Sequence, residues 1–138
     1  MGARRVARER ALQALYQMEM SETSPDEALG AAWSAEGGAD EEEAKSFALR
    51  LVKGTREHVT ELDAMIETHS HNWRVDRMSR IDRNVLRLAS FELKYCPEVP
   101  RKVTLNEAVE LGKKFGTSES SAFINGLLDR VAQTLEKP

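Results

Sequence analysis

The chain has 138 residues and a mass of 15.5 kDa, enough for one domain with a hydrophobic core, expected to span residues 1–138. A net charge of −3 and a pI near 5.7 exclude a uniformly basic nucleic-acid coat but leave room for a local basic patch. The single cysteine, Cys96, excludes an intrachain disulfide; no run approaches a membrane span, and no apolar segment follows the basic N-terminus, so the expected compartment is a reducing cytoplasm.

The opening stretch GARRVARERALQALYQ predicts a first helix from about Arg4 to Met20, with Leu12, Leu15, Tyr16 and Met18 facing inward. Arg4, Arg5 and Arg8 crowd its first turns, where the helix macrodipole disfavours cations. At about 100° per residue they project to the same side as the leucines, past the reach of the core, while Arg10 falls on the opposite, solvated side. Three guanidinium forks on one side make a comb that matches phosphate oxygens; a frayed, solvated terminus is the alternative.

In TSPDEALGAAWSAE, Ser24 can cap a second helix, Pro25 suits its first turn, and Glu27 completes a capping box. The paired glycines of EGGAD end it, and Asp40 can cap a long third helix running to about Thr68, with Gly54 inside. THSHNWRVDRMS reads as a short helical turn or connector. Ser79 then caps SRIDRNVLRLASFELKY, with Asp82 in the capping-box position and Ile81, Val85, Leu88 and Ala89 on one face. CPEVP stops that helix. Thr104 opens TLNEAVELGKKFG through a T-x-x-E box, and Gly116 ends it. In TSESSAFINGLLDRVAQTL the residues Ile124, Leu127, Leu128, Val131 and Leu135 share a stripe. The expectation is an all-α fold of six or seven helices.

Phe123 lies about a quarter-turn off that last stripe, in the first turns after TSES, where helix amides are open to anions. An aromatic ring at such an edge suits stacking on an unpaired base; packing against a neighbouring helix is the alternative. His69 and His71 are two apart, which is poor metal geometry, and Cys96 before Pro97 has no nucleophile motif around it. No phosphate loop, dinucleotide fingerprint, nucleophile elbow or metalloprotease box occurs, so no enzymatic activity, cofactor or metal is expected.

RRVARERALQALYQ near the start, and IDRNVLRLASFEL with VPRKVTLNEAVELGKKFGTSESSAFINGLLDRV, resemble the NusB family of bacterial transcription antitermination factors. LNEAVELGKKFG followed by FINGLLD is the most specific part, and residues 21–60 are the least distinctive. The resemblance implies two packed three-helix bundles. It also implies binding of the boxA element of ribosomal RNA leaders with NusE, a small-subunit ribosomal protein, beside other Nus factors and RNA polymerase. By motif, Arg4, Arg5 and Arg8 match RNA-contacting arginines, and Arg87, Lys102, Glu119 and Phe123 match further positions on or near the RNA surface. Tyr16, Asp76 and Asp82 match positions facing NusE. Val6 interrupts an arginine run found in some relatives, and Ala122 stands where a basic residue precedes the phenylalanine; both remove phosphate partners. Lys113 and Lys114 are the cations available to compensate. The rival reading is a helical adaptor whose arginines meet an acidic protein.

Overall fold

The computed structural model describes residues 2–36, 42–71 and 73–135. These form seven α-helices and one 3-10 turn, with no strand among the described residues, as the helical periodicity predicts. The chain divides into two compact units, Met1–Glu57 and His58–Pro138.

In the first unit, α1 (Ala3–Met20) packs on α2 (Pro25–Glu36) and α3 (Glu42–Glu57), and α2 also meets α3. Leu12, Leu15, Leu29, Phe47, Leu51 and Val52 are buried, with Ala7, Ala11 and Ala14 on α1 and Ala44 and Ala48 on α3. Such small residues let helix backbones approach closely while the leucines fill the space between. The capping box predicted for α2 is formed: the Glu27 amide donates to Ser24 Oγ at 3.1 Å, and the Ser24 amide to Glu27 Oε1 at 3.2 Å. The stop expected at Gly37 and Gly38 and the cap expected at Asp40 lie outside the described residues.

The long third helix is in fact two. α3 ends at Glu57, and α4 (Val59–Thr68) begins after His58, whose φ of −107° and ψ of 18° leave the helical region. Gly54, the residue marked as a bend, stays buried inside α3. The interruption coincides with a tertiary contact: the His58 ring stacks on Tyr95 at 4.3 Å, and Tyr95 in turn on Phe91 at 5.4 Å. No helix breaker marks the spot locally.

The second unit holds α4, a 3-10 turn at Val75–Arg77, α5 (Arg80–Tyr95), α6 (Arg101–Phe115) and α7 (Ser120–Thr134). α5 packs on α4, α6 and α7, and α6 on α7, around Leu62, Ile66, Val85, Leu88, Ile124 and Leu128. Ser79 caps α5, its Oγ accepting the Asp82 amide at 3.1 Å. α6 starts earlier than predicted, behind Pro100, whose φ of −63° already aims the chain into the helix. Thr104 is therefore not a cap; it is buried at the end of the first turn and donates from Oγ1 to the buried Glu92 at 3.2 Å. Gly116 does end α6, for a steric reason: a Cβ there would run into the Ser120 side chain and the Gly112 carbonyl.

Candidate functional site

α1 starts behind Gly2 with no side-chain cap and no acidic residue in its first turn, so its own sequence does nothing to offset Arg4 and Arg5 at the positive end of the helix. For Arg4, and for Arg8 one turn on, α3 supplies the contacts. The Arg4 guanidinium carbon lies 4.5 Å from the centre of the Phe47 ring, and that of Arg8 lies 5.4 Å away. Glu43 adds an exposed ion pair to Arg4 at 3.8 Å, worth little against solvent screening. Phe47 is buried, so it acts as a fixed apolar platform under both guanidinium groups.

Burial separates the three arginines. Arg5 is exposed and Arg4 half-buried, but Arg8 is only 4% exposed, so it does not project past the core as its position on the helix suggested. Arg10 also departs from expectation. It is 7% exposed, donates to Gln13 Oε1 at 3.1 Å and lies 3.9 Å from the equally buried Glu9. α1 is covered on every side between Val6 and Leu12, and helical periodicity gives a direction without saying what covers it. Tyr16, expected inside, is 41% exposed, with Met20 exposed one turn further on.

In the second unit, Arg87 sits on α5 with Nε and Nη2 on the two carboxylate oxygens of Asp63, at 2.7 and 2.8 Å. This largely buried fork ties α5 to α4, so much of the donor capacity expected to face RNA is committed to the fold. Lys102 is exposed in the first turn of α6, and Asp76 is exposed beside Arg74 at 3.4 Å. Elsewhere on α4 and α5, Glu61 takes hydrogen bonds from Lys94 and the Tyr95 hydroxyl. Those contacts hold the Glu61 carboxyl below the usual carboxylate value and push the Lys94 and Tyr95 groups up.

The amides expected to be open at the start of α7 are partly used. The Glu119 amide donates to Thr117 Oγ1 at 3.4 Å, the Ser120 amide to the Thr117 carbonyl at 3.1 Å, and the Thr117 amide to Ser120 Oγ at 2.9 Å. Phe123 is half-buried and does not join the core of Ile124, Leu127 and Leu128. Instead it lines a cavity of about 300 Å³ with Trp73, Met78, Asp82 and Glu119. One cavity thus gathers Phe123 and Glu119, expected to face RNA, with Asp82, expected to face NusE.

Sequence reading passed over Trp73, although a tryptophan flanked by His71, Arg74 and Arg77 is itself a signal of aromatic and basic residues interleaved. Hydrogen bonds hold the described residues on either side of it. Ser70, buried, donates from its hydroxyl to the Trp73 carbonyl, and the Trp73 amide returns to the Ser70 carbonyl at 3.2 Å. Arg130 clamps the His69 carbonyl from Nε and Nη2 at 3.0 and 2.8 Å, and Glu67 accepts the Val75 amide at 2.9 Å.

Comparison with known proteins bears directly on this arrangement. The NusB family model matches residues 5–133. The chain belongs to the NusB family. It is 65% identical to the transcription antitermination protein NusB of Myxococcus xanthus, with 100% of each chain covered. Among solved structures it is similar to T. maritima NusB, at 34% identity and a TM-score of 0.84, covering 96% of this chain and 92% of that one. It is also similar to a chain in a crystal structure of antitermination factors NusB and NusE in complex with dsRNA, at 26% identity and a TM-score of 0.85, covering 96% and 97%. The family match takes in α1 from Arg5 on, all of α2 to α6 and α7 up to Gln133, and so includes both Phe47 and Trp73.

Proposed function

We propose that this chain is a bacterial transcription antitermination factor that binds the boxA RNA of ribosomal RNA transcripts together with NusE, and so promotes processive transcription by RNA polymerase with the other Nus factors. It acts in the cytoplasm as a regulatory RNA-binding protein, not an enzyme, with residues 1–138 working as one functional domain. The observation that carries the reading is the cationic start of α1, seated on Phe47 in a chain that belongs to the NusB family. Arg4 and Arg5 meet the RNA backbone, and Arg8 positions that end of the helix through Phe47. Lys102 adds a phosphate contact, and Phe123 with Glu119 meets a base. Arg87 supports this surface by fixing α5 to α4 through Asp63. Tyr16 and Asp76 face NusE, with exposed Met20 extending the Tyr16 contact, and Asp82 stands at the border of the two roles.

Filter binding of a boxA RNA and a scrambled control, with and without NusE, tests the reading. Tighter retention of boxA, strengthened by NusE, is expected. Equal weak retention of both RNAs beside intact NusE binding would turn the chain into a protein adaptor.

A further inference from the structure

We propose that α3, which itself stays off the RNA, sets RNA affinity through Arg4: Phe47 holds the guanidinium ready, and Glu43 is a competing anion that phosphate must displace. This rests on the reading that Arg4 meets the RNA backbone. Glu43 and Phe47 are one turn apart on α3, so they share a face of that helix, and both reach Arg4.

Phe47 supplies the positioning. Its ring is 5% exposed, whereas 40% of the Arg4 side chain is accessible. The guanidinium carbon lies 4.5 Å from the ring centre, well within the reach of a cation–π contact, so a fixed aromatic surface backs a cation that solvent still reaches. Arg8, 4% exposed, lies over the same ring at 5.4 Å, and successive turns of α1 thus share one anchor on α3. An unrestrained arginine gives up much rotamer freedom when it closes on a ligand. A ring that already restrains it removes part of that loss and leaves the accessible part of the guanidinium to a phosphate.

Glu43 acts on the same cation with the opposite effect. Its side chain is 67% exposed, and its Oε1 lies 3.8 Å from Arg4 Nε, too far for a hydrogen bond. The carboxylate therefore meets the guanidinium by charge, without the two parallel N–H bonds of a fork. A phosphate that makes such a fork displaces it readily, but binding then breaks one ion pair and brings two anions near each other. Along α3, a residue that raises affinity thus follows one that lowers it.

Fluorescence anisotropy of a labelled boxA RNA with the intact protein tests both roles. Replacing Phe47 by a ring-fluorinated phenylalanine drains negative charge from the ring face while nearly keeping its size and apolar character. Packing alone would not register that change. The thermal melt should match the parent's, while RNA affinity falls roughly two- to tenfold, the range for ordering one long side chain on binding. Glu43→Gln should strengthen binding roughly two- to fivefold at low salt, the size of one exposed ion pair, and the gain should fade as salt rises. Both effects should shrink in an Arg4→Gln background, since both act through that arginine. A fluorinated protein that binds like the parent, or a Glu43→Gln protein that gains nothing, would overturn the proposal with boxA binding intact. Undiminished effects in the Arg4→Gln background would overturn it too, because Phe47 and Glu43 would then act without Arg4. Parent-like affinity of Arg4→Gln, or no boxA binding by the parent with or without NusE, would remove the reading beneath the proposal and the proposal with it.

Discussion

Arg4, Arg8 and Arg87 are one kind of side chain put to different uses, and burial and partners tell them apart. Arg87 gives two N–H groups to Asp63 in a pair whose side chains are 16% and 22% exposed. Arg87→Gln should lower stability by roughly 1–3 kcal/mol in urea melts and leave the RNA affinity of the folded protein nearly unchanged. An unaltered melt with lost RNA binding would return Arg87 to the RNA surface. The cluster on Glu61 sets a pH dependence. Lys94 first, then Tyr95, favour ionised Glu61, so its contribution is complete above the ordinary value of 4.5 and is lost as pH falls through the lower folded value. Glu61 favours the protonated forms of Lys94 and Tyr95, so theirs is complete below 10.0 and is lost as pH rises through the raised values. The stability difference between parent and Glu61→Gln should form a plateau at neutral pH that falls on both sides; a difference constant from pH 3 to 11 would contradict this assignment. None of these pairings was legible in the sequence, because the partners are 24, 33 and 34 residues apart and no local pattern links them.

At the scale of elements, local chemistry was readable where it closes on itself within four residues. Ser24 with Glu27, and Ser79 with Asp82, form the caps that their spacing announces. The same spacing misled at Thr104, because Pro100 starts α6 a turn sooner and leaves a threonine inside, bonded to buried Glu92. The two readings of Thr104 make opposite predictions. Aspartate is a good N-cap, so Thr104→Asp would be harmless at a helix start. In the structure it sets a second carboxylate beside Glu92 in a buried site and should cost several kcal/mol, or abolish folding, by thermal melting. A melt like the parent's would restore the cap. The break at His58 was invisible for a related reason: it coincides with ring stacking on Tyr95, 37 residues away in a segment read separately.

For the whole molecule, an acidic chain gathers cations at one helix end and carries its net negative charge elsewhere, which is the arrangement the proposed function requires. The all-α class and the helix count among the described residues were legible from periodicity, and the arginine cluster at the start of α1 from its conflict with the helix dipole. The burial of Arg8 and Arg10, the exposure of Tyr16 and the cavity around Trp73 were not, since each depends on what tertiary packing covers. The central claim is that Arg4 and Arg5 are phosphate ligands, and the salt dependence of boxA affinity tests it most directly. For a single strand, log affinity falls with log salt at about −0.7 per phosphate contact, so replacing Arg4 and Arg5 by Gln should lower the slope magnitude by about 1.4. The ratio of boxA to scrambled affinity should survive, because phosphate contacts position a strand without reading it. Parallel slopes for the parent and the double variant would contradict the account.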